Sequence, residues 1–511
     1  MQEGDARAAR AVVGRRLGAW HDPEEAFLAL FSAASAGDVA WLDDSAGEGW
    51  SYLAASAGTV ATWPQGVFAG LAQMVPGRRA GDAHADPRLA AADPAAALPP
   101  GLAFRLGVVG WIPHDAWPET VPLHHAPSVP PVAPVAPGDG DAADGIVPAA
   151  FLRVERLLAF DHATHEVWAV ARAGDPWPEH VEDELAAALP ARSAADPVAA
   201  APAVDPGVSG SVDDSAAPAW RHDDAAYLAL VRSCQESIRR GDAYQLCLTN
   251  SARLPGAVDP VRVHLALRAL SPTHHGAFLR VGGTVLVSAS PERFVEVDAA
   301  GTLRTLPIKG TRPRHADPAA DARARADLLA SEKERAENVM IVDLMRNDLS
   351  RVCVLGSVRV TSLFAVEAYA QVHQLVSRVE GELAPGVSAV DAVRALFPAG
   401  SMTGAPKSAA VGILAALERG PRGVYAGAFG WFGDDGRADL AMVIRSVVVA
   451  DGRATVGAGG GITALSVPEE ELEEVRVKAA PLLAAVRAGR VPSADAPDRL
   501  RRLLPRASSP A

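Results

Sequence analysis

From residue 222 onward the strand-like and helix-like patterns come in runs, and that order limits the fold more than any other feature. Asp223–Arg240 has helical spacing behind an acidic cap, and Asp242–Asn250 then reads as a strand. A helix pattern near Pro260–Leu270 precedes four short strand patterns ending at Ile308. Two acidic-basic helices follow over 317–330 and 332–347, then strands around 357–366 and 371–379. Helices at 387–396 and 406–418, strands at 424–432, 439–450 and 453–458, and a last helix over 468–488 complete the region. A doubly wound sheet requires strict β–α alternation, so the order predicts an α+β fold with largely antiparallel sheets.

The preceding region, 20–189, has shorter patterns. A helix-like stretch lies around Glu24–Ala34, and Val39–Leu42, Trp50–Leu53, Phe104–Trp111, Leu152–Phe160 and Glu166–Ala171 read as strands. Residues 122–148 read as a proline- and alanine-rich insertion, and 190–218 as a flexible linker with almost no large apolar residue. Residues 1–19 and 489–511 read as flexible ends, which leaves 219–488 as the second folded region.

The 511 residues are 49% hydrophobic and 21% charged, with a net charge of −13. No lysine/arginine block suits nucleic acid, and an acidic chain that binds an anion must concentrate positive charge at the site. Residues 1–20 lack an apolar signal core, and no run of 18 apolar residues occurs, so no membrane span is expected. Cys234, Cys247 and Cys353 have no metal-ligand spacing and suit a reducing, cytoplasmic setting.

Of 48 basic residues only four are lysine: Lys309, Lys333, Lys407 and Lys478. In a chain that prefers arginine, lysine marks positions where a deprotonated amine is needed, because guanidinium stays charged. The alternative is four chance survivors at exposed positions. Lys309 stands in Pro307-Ile308-Lys309-Gly310-Thr311, seventeen residues after Glu292 in Ser290-Pro291-Glu292-Arg293-Phe294. A carboxylic acid near an activatable amine outlines an acid–nucleophile pair. Equally, Glu292 could pair with Arg293 or Arg312 on a surface turn.

Two helices each offer a pair of glutamates. Ser331 and Glu334 have capping-box spacing, and Glu337 shares a face with Glu334. Ser466 and Glu469 repeat the cap, with Pro468 in the first turn and Glu471 and Glu474 three apart. Four such carboxylates could hold magnesium through oxygen ligands. Read otherwise, they are solvated helix faces in ion-pair networks with Lys333 and Lys478. The loop Phe397–Lys407, which includes Ser401, Met402, Thr403 and Gly404, runs into a helix at Pro406 and favours a carboxylate. Gly457-Ala458-Gly459-Gly460-Gly461 follows a strand and admits a ligand close to the backbone.

In order along the chain, YQLCLTN (244–250), SPERF, PIKGT, AENVMIVDLMRND, VHQLVS (372–377), FPAGSMTGAPK, VYAGAFGWF (424–432) and GAGGGI (457–462) resemble the chorismate-utilising enzymes. That family includes anthranilate synthase component I, aminodeoxychorismate synthase component I, isochorismate synthase and salicylate synthase. WLDDS (41–45) is similar to the motif of its amino-terminal domain, which in some relatives binds tryptophan. The resemblance implies two antiparallel sheets packed as a sandwich with helices outside. Water-adding members carry a lysine base where this chain has Gln245, and anthranilate synthases have alanine where it has Lys309. The PIKGT form thus resembles aminodeoxychorismate synthase component I, which serves 4-aminobenzoate and folate synthesis.

Residue by residue, the resemblance implies Lys309 as covalent nucleophile, Glu292 as acid and His373 as active-site histidine. It implies magnesium on Glu337 and Glu474, with Glu334 and Glu471 close by. Gln245, Ser401, Met402, Thr403, Gly404, Tyr425, Arg445, Gly459, Gly460 and Lys478 would hold chorismate. No glutaminase unit is legible, so ammonia is expected free or from a separate glutamine amidotransferase. An anthranilate-type or specialised-metabolism synthase, and a non-catalytic chorismate-binding regulatory paralogue, stay open as alternatives.

Overall fold

The computed structural model describes residues 11–33, 37–56, 58–75, 98–122, 147–189, 217–369 and 372–491. Most of the stretches read as insertion (122–148), linker (190–218) and tail (489–511) lie outside the described residues. Among the described residues are a twelve-stranded and a ten-stranded sheet. The first runs Val12–Arg16, Glu166–Arg172, Arg156–Asp161, Trp50–Ala55, Val39–Asp43, His275–Val281, Thr284–Ser290, Ser446–Ala450, Arg453–Ile462, Gln245–Leu254, Gly404–Ala405, with Ala219–Trp220 beside Gln245–Leu254. The second runs Ile308–Pro313, Val372–Glu382, Thr302–Thr305, Arg293–Val297, Ala438–Met442, Ala428–Gly433, Gly107–Ile112, Ala149–Val154, Val60–Trp63, with Arg359–Ala368 beside Val372–Glu382. The ladders joining the two regions, Val39–Asp43 on His275–Val281 and Gly107–Ile112 on Ala428–Gly433, are antiparallel. Strands from both sides of the 190–218 stretch thus share each sheet.

The two sheets pack face to face over Trp111, Leu152, Leu157, Leu279, Phe429 and their neighbours, all buried. Helices cover the outer faces. Asp224–Arg239, Pro260–Leu270, Lys407–Glu418 and Pro468–Ala488 pack on the first sheet. Val67–Met74, Glu332–Ser350 and Ala389–Leu396 pack on the second. Burial on both faces is why strands such as Gly107–Ile112 read as near-continuous apolar runs.

Three sequence expectations change. Residues 12–16, placed in a flexible end, form an edge strand on Glu166–Arg172, because backbone pairing alone can hold a strand of mixed polarity. The strand expected over Leu152–Phe160 is two strands in different sheets, separated at Glu155. The buried parity records the break: Ala150, Leu152 and Val154 face the inter-sheet core, then Leu157 and Ala159. The strand expected over 439–450 likewise divides at Val443–Arg445, where the chain passes from the second sheet to the first.

Trp41 is fully buried and packs 4.8 Å from Phe27 and 4.6 Å from His264, on the strand where the early region joins the later one. Trp41→Ala should cost about 3–5 kcal/mol. Urea unfolding followed by fluorescence and circular dichroism should show both regions melting together in wild type and variant.

Candidate active site

The site elements are β1 (Gln245–Leu254), β2 (Arg293–Val297), β3 (Ile308–Pro313), α1 (Pro318–Ala330), α2 (Glu332–Ser350), β4 (Val372–Glu382), α3 (Lys407–Glu418), β5 (Arg453–Ile462) and α4 (Pro468–Ala488). Between them lies a cavity of about 490 Å³ that takes in Glu292, Lys309 and all four paired glutamates.

Lys309 is aimed by a β-bulge. In the β3–β4 ladder Ile308 faces Val376 and Thr311 faces Gln374, so Lys309 and Gly310 together stand opposite Leu375 alone. Gly310 adopts φ +79°, and a Cβ there would lie 2.9 Å from the Glu334 carboxylate. The turn this glycine permits sends the lysine into the cavity, with Nζ 3.9 Å from Glu337 Oε2.

Glu292 sits where the chain crosses from Thr284–Ser290 in the first sheet to β2 in the second. The surface-turn alternative does not hold. Arg293 pairs with Glu296 and Asp439, and Arg312 with Asp327 and Glu334. Glu292 instead bonds Ser401 inside the cavity. Burial raises its pKa, only partly opposed by Ser401, Lys309 and Lys478. Arg293 turns the other way, into a separate cavity of about 360 Å³ that it shares with Leu42, Asp43 and Asp44 of the WLDDS stretch.

Glu334 and Glu337 reach the cavity from α2, and Glu471 and Glu474 from α4. Ser331 caps α2, accepting from the Glu334 amide at 3.4 Å. Ser466 does not cap α4, whose N-cap is Val467; its hydroxyl accepts from the Thr463 amide and bonds Glu471. Burial raises the pKa of Glu337 and of Glu471. At Glu474 burial acts the same way but Lys478, Lys309 and Lys333 outweigh it, holding the carboxyl below its ordinary value. Among the described residues no three His, Cys, Asp or Glu side chains converge closely enough to hold a metal as they stand.

The far wall comes from β5. A Cβ at Gly457 would stand 2.2 Å from the Tyr425 ring, so the missing side chain lets Tyr425 pack against the strand. Lys478 Nζ donates to Gly459 O at 2.7 Å, and Arg445, at the second sheet crossing, donates to Lys478 O at 3.3 Å. Ser401, Met402 and Gly460 complete the predicted residues that line the cavity.

Four predicted residues stand outside that lining. Thr403 donates to Ala399 O, Gly404 pairs with Leu246 in the sheet, and the Gln245 amide stands where a Gly461 Cβ would be. His373 is on the opposite face of β4, buried, with Nε2 3.0 Å from Asp321 of α1. Strand side chains alternate, so the cavity receives Gln374 in its place. The parity of β4 separates the two only against the bulge at Lys309, which no sequence pattern marks. The start of α3 also opens elsewhere, onto a groove of about 980 Å³ where Lys407 is tied to Asp348 at 2.6 Å. That groove is larger, but its lysine is committed and it holds no glutamate pair.

The raised Glu292 pKa means that the fold gains stability from this group below the ordinary 4.5 and loses it as pH rises through the raised value. Glu292→Gln should therefore melt higher than wild type at pH 7–8, with the difference vanishing toward pH 4, as scanning calorimetry across pH would show.

The chain matches the family described as chorismate binding enzyme over residues 83–484. It is 40% identical over 494 residues to the aminodeoxychorismate synthase of Streptomyces pristinaespiralis, covering 91% of this chain and 64% of that protein. The chain thus spans less than two thirds of that relative's length. To anthranilate synthase component 1 of Streptomyces coelicolor it is 40% identical over 408 residues, covering 77% of this chain and 75% of that one. Among solved structures, anthranilate synthase component I from Streptococcus pneumoniae superposes with a TM-score of 0.66 at 25% identity, covering 85% of this chain and 92% of that one. The matched span contains Lys309, Glu292 and both glutamate pairs, and by that match the chain belongs to the chorismate binding enzyme family.

Proposed function

We propose that this chain is component I of an aminodeoxychorismate synthase, converting chorismate and ammonia to 4-amino-4-deoxychorismate for 4-aminobenzoate and folate synthesis. The observation that carries the reading is a primary amine, Lys309, aimed by its bulge into the same cavity as a carboxyl, Glu292, whose pKa is raised. The neutral amine attacks carbon 2 of the ring, the ring double bond shifts, and the 4-hydroxyl leaves as water with the proton of Glu292. Ammonia then bonds carbon 4, the double bond shifts back, and the bond from carbon 2 to Lys309 breaks. The new ammonium returns a proton to Glu292. The enolpyruvyl group is untouched, and water is the leaving product.

Burial suits Glu292 to this role, because a raised pKa keeps a proton available for donation. Ser401, Arg445, Lys478 and the backbone at Gly459–Gly460 would hold the substrate carboxylates. Gln374 adds a neutral amide, able to donate or accept, where an imidazole was expected. Magnesium fits the donor set: four carboxylates from two helices, among them Glu471 Oε2, buried with no hydrogen-bond partner. Glu337 and Glu474 would hold it, beside Glu334 and Glu471, and when bound it neutralises a substrate carboxylate. The ammonia comes from a separate glutamine amidotransferase, in keeping with a relative named as component 1 of its enzyme. We place the reaction in the cytoplasm, where the free thiols of Cys234, Cys247 and Cys353 would persist. No helix among the described residues is long and apolar enough to cross a membrane.

Incubation with chorismate and magnesium without ammonia should leave an adduct on the Lys309 peptide, detected by mass spectrometry. Lys309→Ala and Lys309→Arg should both fall below about a thousandth of wild-type turnover, since neither supplies a nucleophilic amine. Full turnover in either variant refutes the nucleophile. Direct release of fluorescent anthranilate from chorismate and ammonia would favour the anthranilate-type reading instead.

A further inference from the structure

The glutamates of the cavity are unequally engaged. Glu474 Oε1 lies 2.6 Å from Lys478 Nζ, and the same ammonium takes Gly459 O at 2.7 Å. Glu337 has only a looser contact, 3.9 Å from Lys309 Nζ. Glu471 is 4% exposed, and its Oε2 has no partner. One carboxylate oxygen is thus buried and available, while another on the next turn of the same helix is held by a lysine.

We propose that Lys478 is the resident cation of the magnesium position, competing with the divalent ion for Glu474. This rests on the magnesium reading above and adds the residue that regulates metal entry. An ammonium held between a carboxylate and a backbone carbonyl occupies the kind of oxygen ligands a hard cation uses. The competition is built into α4: Glu474 and Lys478 are four residues apart, with glutamate toward the N-terminus, the favourable order for a helical ion pair. It also accounts for the geometry, since a Glu474 drawn toward Lys478 is not gathered with Glu337 and Glu471. The pair is partly exposed, 33% and 46%, so Nζ has room to leave on its four-carbon stem.

Lys478 also lines the cavity beside Arg445, where an incoming carboxylate meets it. A substrate carboxylate that draws Nζ away releases Glu474 to the metal, so metal and substrate each strengthen binding of the other, and by the same factor. Magnesium held before the substrate arrives is correspondingly weak.

Manganese is the probe, titrated into the full chain and followed by electron paramagnetic resonance, with and without chorismate. Without chorismate, Lys478→Met should bind manganese about fivefold tighter than wild type, as expected for loss of one partly exposed ion-pair competitor. Lys478→Arg keeps the charge and should stay near wild type. In wild type chorismate should tighten manganese binding, and in Lys478→Met that gain should shrink. Equal or weaker binding by Lys478→Met, beside measurable binding by wild type, overturns the competitor role while leaving the magnesium reading intact. Failure of wild type, Lys478→Met and Lys478→Arg alike to bind manganese overturns both.

Discussion

In a sandwich of two sheets, backbone groups in the ladders are already paired, and side chains alternate between a dry inner face and a helix-covered outer one. Little in such an arrangement is free to meet a polar ligand. The exceptions are the places where the chain leaves one sheet for the other. Glu292 stands at one crossing and Arg445 at another, and Lys309 stands at a bulge that interrupts a ladder. The cavity is therefore assembled from breaks in regular pairing, while the ladders on either side fix where those breaks occur. A one-residue slip in a ladder would turn its cavity side chains to the other face.

Positive charge is placed with the same economy. The chain carries a net charge of −13, yet three of its four lysines line one cavity. There they balance five carboxylates, three of which burial pushes toward the neutral form: Glu292, Glu337 and Glu471. The fourth lysine, Lys407, shows the other use of a point charge. Its ammonium reaches Asp348 and the Leu396 carbonyl together, tying α3 to α2 in a nearly buried contact. Lysine scarcity thus marked positions with a specific demand, but only three of the four demands are those of the cavity.

The antiparallel α+β arrangement, the helix read over 332–347 that runs on to Ser350, the helix over 468–488, and the meeting of Glu292, Lys309, Glu334, Glu337, Glu471 and Glu474 in one cavity were legible in the sequence. What was not legible is largely a matter of parity and crossing. A one-residue break at Glu155 leaves no composition signal, only a change in which residues alternate inward. Thr403 and Gly404 belong to the same loop as Ser401 and Met402, but the loop has already entered the sheet at Gly404. Ser466 has the sequence of a helix cap, yet its hydroxyl accepts instead from the Thr463 amide three residues back, a local bond that competes with capping.

The exchange of His373 for Gln374 bears on the chemistry as well as the geometry. With the imidazole turned toward Asp321, the titratable groups that line the cavity are five carboxyls, three lysine amines, the Arg445 guanidinium, the Cys247 thiol and the Tyr425 phenol. A glutamine amide can orient a substrate through hydrogen bonds of either sense but cannot accept a proton near neutral pH. In the proposed reaction proton transfer falls to Glu292, whose pKa burial raises and whose carboxyl bonds the Ser401 hydroxyl. That equipment suits the proposed reaction, in which a leaving oxygen is protonated and an amine comes and goes.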